Sequence, residues 1–292
     1  MPQHASIEFD PKSAPFDRLK HVRHLAPERS GHHSIEHVRH HLYVGRDRES
    51  AADVLVKVAS RPGLVYQRNL ENEIASLTTI NRELPRSPHF PVVLDHGRLR
   101  DGRVYLVMYL FNEFPLATTI GAERMPGRLV EQLRIALATA RALADLHRIP
   151  IVHVDLNPMN ILYRSEQGRS VVRIVDFESS YDPSRHSGAF YDPPTTSGYS
   201  APELLRQPPD ARADVFALGA VLYTMLAGYE WTWKGDVADA VSTDRDLDPD
   251  LRALLVEAVD PDLDKRSESM ERFADRLGAY LERIWPGRSE NS

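Results

Sequence analysis

His153-Val154-Asp155-Leu156-Asn157-Pro158-Met159-Asn160 runs directly into the apolar Ile161-Leu162-Tyr163, and Ile174-Val175-Asp176-Phe177-Glu178 follows soon after. The first stretch is a polar loop between a helix-patterned segment, Leu129 to Leu146, and a short strand. The second places carboxylates at the end of another apolar strand, Val171 to Val175. A polar loop supported on both sides by regular elements suits chemistry. Two carboxylates and an amide, from Asp155, Asp176 and Asn160, are hard oxygen ligands of the kind Mg2+ takes, with phosphate oxygens completing its shell. Taken separately, either aspartate serves equally well as a turn residue accepting backbone hydrogen bonds.

Upstream, one of only five lysines interrupts an apolar strand, Val54-Leu55-Val56-Lys57-Val58. An ammonium buried there needs an anionic partner, a carboxylate or a phosphate. The following helix pattern, with Leu70, Ile74, Leu77 and Ile80 near one face, offers Glu73; Glu71 points about 160 degrees away around the helix. The alternative is an edge-strand lysine whose stem covers apolar surface while its head stays wet.

Around these segments the chain reads as alternating small strands and then helices. His41 to Val44 and Asp53 to Ala59 form an expected hairpin, and Val92 to Leu94 and Val104 to Met108 flank an Asp101-Gly102 turn signal. A five-stranded antiparallel sheet with one helix fits this half. Asp214 to Ala227, Leu251 to Val259 and Phe273 to Ile284 are helical patterns, with the acidic Asp236 to Asp250 expected in solvent. The first 20 or so residues, with Pro2, Pro11 and Pro15, read as a loose extension, and the polar Ser179 to Ser200 has neither a core strand nor a core helix. No repeat or low-complexity block interrupts the pattern.

Composition narrows the classes. With 292 residues, 42% of them hydrophobic, the chain is long enough to bury a core in one large domain or two lobes. Its 36 Lys plus Arg against 42 Asp plus Glu leave a net charge of -6, so no global positive field recruits nucleic acid. Having no cysteine, it has no disulfide framework and no thiolate nucleophile, and any metal must use oxygen or imidazole ligands. Apolar runs such as Val215 to Tyr223 fall short of the roughly 20 residues that cross a bilayer. No membrane segment is expected, and a cytoplasmic setting is the simplest reading.

In their order along the chain, Val54 to Lys57, Glu73, His153 to Asn160, Asp176-Phe177, Ala201-Pro202-Glu203 and Asp214 to Gly219 resemble the protein-kinase family, in particular a divergent bacterial-type Ser/Thr protein kinase. The resemblance implies an α+β, bilobal fold: a small antiparallel-sheet N-lobe with one main helix, and a larger helical C-lobe. It implies an extension at 1–24, an N-lobe at 25–108, a hinge at 109–112, a C-lobe at 113–285 and a tail at 286–292. It further implies that Lys57, held by Glu73, binds the ATP phosphates, and that Asp155 orients or deprotonates the acceptor hydroxyl beside Asn157. Asn160 and Asp176 would hold Mg2+, or Mn2+ in its place, with Glu178 as an added carboxylate. Met108, Tyr109, Leu110 and Phe111 correspond to the adenine-binding connection. Thr195, Thr196 and Ser197 fall in the activation segment. His153, Glu203, Asp214 and Arg266 are structural, Glu203 pairing with Arg266 and Asp214 bracing the loop.

Departures from the pattern keep three functions open. The Gly-rich phosphate loop, placed on Ile35-Glu36-His37-Val38-Arg39-His40, lacks all three glycines. His37 and His41 at helical spacing suggest a metal site, but their neighbours read as a strand. Val154 replaces the arginine that pairs with a phosphorylated activation segment, Asn157 replaces a lysine, and Glu178 replaces a glycine. The expected function is ATP- and magnesium-dependent transfer to Ser/Thr of a protein substrate. A kinase-like regulatory protein with weak or no catalysis, and a small-molecule hydroxyl kinase, are the alternatives.

Overall fold

The computed structural model describes residues 9–25, 39–120, 128–166, 169–186, 198–228 and 236–286. Contacts divide the chain into two units, Met1–Asn81 with Pro91–Asn112, and Arg82–Phe90 with Glu113–Ser292.

Alternation builds the first unit. Strands β1 (Leu19–Leu25), β2 (His40–Asp47), β3 (Asp53–Ala59), β4 (Val93–Arg98) and β5 (Val104–Tyr109) form an antiparallel sheet in the order β1-β2-β3-β5-β4. Val54, Val56 and Val58 lie two residues apart and therefore share one face, where they are buried with Tyr43, Tyr105 and Val107. Asp47 shapes the β2–β3 turn by accepting from the main-chain N–H groups of Glu49 and Ser50 and from the Ser50 hydroxyl. Those Ser50 bonds, set against slight desolvation, hold its carboxyl below the usual range. Gly102, at a φ of 86°, makes the β4–β5 turn. Helix α1 (Leu64–Glu83) buries Leu70, Glu73, Ile74, Leu77 and Ile80, an i, i+3, i+4 set.

The loose reading of the N-terminal residues is corrected by their apolar content. Phe16 and Leu19 are buried in the same cluster as Tyr43, and the Phe9, Phe16 and Tyr43 rings meet with centroids 4.7 to 5.6 Å apart. Leu19–Leu25 is a full edge strand of the sheet. Its missing sequence signature has a cause: as an edge strand it exposes Lys20, His21, Arg23 and His24, and a register irregularity between Lys20 and Arg23, with His21 at a φ of 55°, breaks the two-residue period. His40, expected in the phosphate loop, is already in β2; positions 35–38 lie outside the described residues.

The second unit is mainly helical. Helices α2 (Leu129–His147), α3 (Pro183–His186), α4 (Arg212–Ala227), α5 (Val237–Thr243), α6 (Pro249–Ala258) and α7 (Met270–Ile284) accompany a three-stranded sheet, β6 (Phe114–Pro115), β7 (Ile161–Glu166) and β8 (Arg169–Ile174). α4 buries every residue from Ala213 to Ala227, in keeping with its largely apolar sequence. It approaches the end of α6 so closely that a Cβ on Gly219 would lie 2.9 Å from Ala258 Cβ. Side-chain caps start three helices: Asp236 for α5, Asp248 with Pro249 for α6, and Ser269 for α7. One expectation changes here: the acidic stretch from Asp236 carries α5 and buries Val237, Val241 and Leu247 among its charges. Among the described residues of Ser179 to Ser200 the single turn α3 buries none of its residues, in keeping with the absence of a core helix there.

Because Phe16 fills the cluster beneath Tyr43, Phe16→Ala should cost about 3–5 kcal/mol. A urea-unfolding titration reads this as a lower midpoint; an unchanged midpoint would mean that the N-terminal segment does not hold the sheet.

Candidate active site

In the first unit, the two-residue period of β3 turns Lys57 away from Val56 and Val58. β3 lies between β2 and β5, with Lys57 in register with Leu42 and Leu106, so the edge-strand alternative is excluded. Lys57 is 8% exposed and Glu73 2%, and Lys57 Nζ donates to Glu73 Oε2 at 2.8 Å. Glu71 pairs instead with Arg98 at the surface. At the end of β5, Met108 is buried and Tyr109 exposed, and the Leu110 N–H donates to the Asp53 carbonyl at 3.0 Å.

In the second unit, residues 151–160 connect α2 to β7. Asp214, near the start of α4, is 0% exposed and organises this loop. Its Oδ1 accepts from the Val154 N–H at 2.8 Å, and its Oδ2 from the His153 N–H at 2.9 Å and from His147 Nε2 at 2.8 Å. Burial pushes the Asp214 carboxyl up, but the His147 hydrogen bond, the nearby imidazoles and the His153 N–H together bring it below the ordinary value. The two donated N–H groups hold Val154 at a φ of 72°, a conformation that costs a β-branched residue about 1–3 kcal/mol.

Beyond the turn, one carbonyl gathers the loop. The Asp155 main-chain oxygen accepts from Asn157 Nδ2 at 3.0 Å and from Asn160 Nδ2 at 2.8 Å. Asn157 Oδ1 accepts the Met159 N–H at 2.9 Å, so both ends of that amide work on the loop itself. Asn160 commits only its nitrogen, which leaves its oxygen to act as a ligand.

The Asp176 segment is tied to the same loop. His153 Nε2 donates to the Val175 carbonyl at 3.0 Å, and the Val175 N–H donates to the Asn160 carbonyl at 3.0 Å. Phe177, fully buried, meets His153 edge-on at 4.8 Å and Phe90 at 6.0 Å. The Ser180 hydroxyl closes the next turn on the Phe177 carbonyl. Between these fixed neighbours Asp176 takes a φ of 66°, a left-handed conformation that aspartate tolerates better than most residues. The second unit thus brings Asp155, Asn157, Asn160, Asp176 and Glu178 onto one braced framework, while Lys57 and Glu73 form theirs in the first.

Farther on, Arg266 makes a two-pronged pair with Glu203, Nη1 to Oε1 at 2.6 Å and Nη2 to Oε2 at 3.0 Å. Its remaining N–H groups go to the carbonyls of Arg212 and Asp260, and its plane lies 5.1 Å over the Phe216 ring. Every donor of this buried guanidinium is therefore used. The Tyr199 hydroxyl meets Thr224 at 3.1 Å, and Ala201 leads into a 3-10 turn, Pro202–Leu205. Thr195, Thr196 and Ser197 lie outside the described residues. Sequence reading missed His147 as the third donor to Asp214; its position at the end of α2, six residues before His153, was the available signal.

A sequence model of the protein kinase domain matches residues 43–282, and the chain belongs to that family. Mouse ribosomal protein S6 kinase alpha-2 is 40% identical to it over 132 residues, 44% of this chain and 18% of the relative. Mouse ribosomal protein S6 kinase alpha-4 is 32% identical over 187 residues, 63% of this chain and 23% of the relative. The chain thus spans under a quarter of these curated relatives. Among solved structures, a double mutant of the Mycobacterium tuberculosis PknI kinase domain superposes with a TM-score of 0.63 at 22% identity, covering 82% of this chain and 90% of that one. A single mutant of the same domain gives 0.59 at 21% identity, covering 90% and 95%. The fold is accordingly the kinase fold: an antiparallel-sheet N-lobe with one main helix, and a helical C-lobe. No described helix is long and apolar enough to cross a membrane.

Asp214 supplies a pH-dependent share of stability. Its folded pKa lies below the ordinary 3.8, so this share is fully present above about pH 4 and is lost as the pH falls through the folded value. Asp214→Ala leaves two buried N–H groups without their acceptor, at about 1–3 kcal/mol each near neutrality. Urea unfolding at pH 7 and pH 3 should show the gap between variant and parent narrowing on the acid side. A gap that widens there would contradict the assignment.

Proposed function

We propose that the chain is an ATP- and magnesium-dependent protein kinase that transfers the γ-phosphoryl group to Ser or Thr hydroxyls of a protein substrate. The observation that carries this reading is the Lys57–Glu73 pair. A buried ion pair is a poor device for stability alone, since apolar residues of similar volume often serve as well or better. An ammonium held by a carboxylate is, however, well suited to phosphate oxygens. In the second unit, Asp176 and the side-chain amide oxygen of Asn160 would form the hard donor set that Mg2+, or Mn2+, prefers, with Glu178 as a further carboxylate close by in sequence. The bound ion would supply positive charge to the phosphate oxygens.

Asp155 orients the acceptor hydroxyl and takes its proton as the new O–P bond forms and the bond from the γ-phosphorus to the bridging oxygen breaks, releasing ADP. Asn157 acts on the loop backbone, as a positioning residue. Met108 to Phe111 offer backbone groups and apolar side chains to adenine. Val154, standing where regulated relatives carry arginine, removes the partner of a phosphorylated activation segment, so phosphorylation at Thr195, Thr196 or Ser197 is not needed by that route. The cytoplasmic setting belongs to the same reading.

One observation favours the regulatory alternative: no lysine stands at position 157, and the Asn157 amide is spent within the loop. Incubation with γ- and α-labelled ATP in parallel, with Mg2+ or Mn2+ and with protein and metabolite acceptors, separates the readings. Transfer of γ-label to protein, abolished by Asp176→Ala, is the expected result. Label on metabolites alone would make it a small-molecule kinase, α-label transfer would redirect the chemistry, and nucleotide binding without transfer would leave the regulatory reading.

The pair itself divides structure from chemistry. Lys57→Met removes the ammonium that faces buried Glu73 and should cost about 3–5 kcal/mol, whereas Lys57→Met with Glu73→Leu should recover most of that. Both should lack γ-transfer. Recovery of transfer in the double variant would remove Lys57 from the mechanism.

A further inference from the structure

β1 and β2 carry a feature that phosphoryl transfer does not use. Within their ladder His24 is in register with Tyr43, and His41 lies two residues before Tyr43, so His24 and His41 are diagonal neighbours on one face of the sheet. Their ring centroids are 5.6 Å apart, with His24 also 5.0 Å from the Tyr43 ring. No described residue hydrogen-bonds any of the four ring nitrogens, although His41 is partly buried. This differs from the other placed imidazoles that face protein acceptors. His147 is spent on Asp214, His153 on the Val175 carbonyl and His89 on the Val172 carbonyl.

The separation is the one that shared coordination requires. A metal bound at about 2.0–2.1 Å from an imidazole nitrogen lies roughly 3.2 Å from the ring centre, so two rings on one tetrahedral ion have centres about 5–6 Å apart. Arg103, whose charge is felt at His41, is paired with Asp101 at 2.7 Å, which reduces its repulsion of a cation. His40, the next residue in β2, alternates to the opposite face and is not part of the set.

We propose that His24 and His41 form a binding site for a divalent first-row transition ion of the Zn2+ type, each giving one imidazole nitrogen, with water completing the shell. Borderline-soft ions of this kind accept imidazole readily, whereas Mg2+ prefers oxygen, so the site is chemically separate from the Asp176 and Asn160 donors. An ion there clips edge strand β1 to β2 across their ladder, next to the irregularity at His21, and stabilises the folded sheet by binding it alone.

The test is calorimetric titration of the full chain with ZnCl2, beside thermal melts with and without Zn2+. The parent should bind one ion through this pair and melt higher in its presence. His24→Gln and His41→Gln, which keep polar side chains of similar size, should each weaken that binding at least about ten-fold and lose the thermal shift. His40→Gln and His37→Gln should keep both, and circular dichroism should show all four variants folded. If His24→Gln and His41→Gln bind Zn2+ as the parent does, or if only His37→Gln or His40→Gln abolishes binding, the site is not this pair. If the parent binds no Zn2+ at micromolar concentration, the pair is merely a stacked contact. His24→Ala and His41→Ala repeat the measurement should a Gln variant misfold.

Discussion

A single buried carboxylate determines the shape of the loop that carries the proposed catalytic residues. Asp214 receives two consecutive main-chain N–H groups and one imidazole. Its influence passes outward by covalent and hydrogen-bonded steps. With His153 and Val154 fixed, Asp155 begins from a defined direction, and its carbonyl then gathers the amides of Asn157 and Asn160. The same His153 reaches the Val175 carbonyl, so the frame of Asp176 depends on the same anchor. A strained Val154 is tolerated because these neighbours over-determine it, as usually happens where geometry matters more than local comfort.

The buried charges of the two units follow one rule in different ways. Asp214 is compensated by donors within its own unit, and Arg266 is fully satisfied by Glu203 and three carbonyl bonds from two residues, with an aromatic ring beneath it. Both are structural because none of the donors of Arg266 remains available, and the acceptor bonds of Asp214 are aimed at the backbone. Lys57 is placed differently: its ammonium sits in a strand interior beside the buried Glu73 carboxylate, and on the proposed reading that pair serves an anionic ligand better than it serves stability.

How legible this was in the sequence varied with the length scale of the interaction. The β3 alternation and the α1 face are local periodicities, so the pairing of Lys57 with Glu73 is legible in the sequence itself. The helices α2, α4 and α7 followed from the same kind of pattern. β1 was hidden because an edge strand with a bulge needs few apolar residues, and its exposed Lys20, His21, Arg23 and His24 read as a polar tail. α5 was hidden by its aspartates, although Val237 and Val241 are spaced one helical turn apart. His147 was signalled only by its place at the end of α2, six residues before His153, since its acceptor lies 67 residues away in the chain.

Asn157 shows how a substitution at a functional position can change the job of a residue without removing the residue from the site. A lysine there would extend a charge outward. The asparagine instead folds back, donating to the Asp155 carbonyl and accepting from the Met159 N–H, so that its amide closes a turn around the residue expected to handle the acceptor proton. Charge has been exchanged for rigidity. On the proposed kinase reading, where transfer rests on positioning as well as on charge, a tighter Asp155 would offset part of the missing attraction. The same logic fits Val154: a loop that Asp214 already holds by two backbone bonds does not require an arginine and a phosphate to hold it.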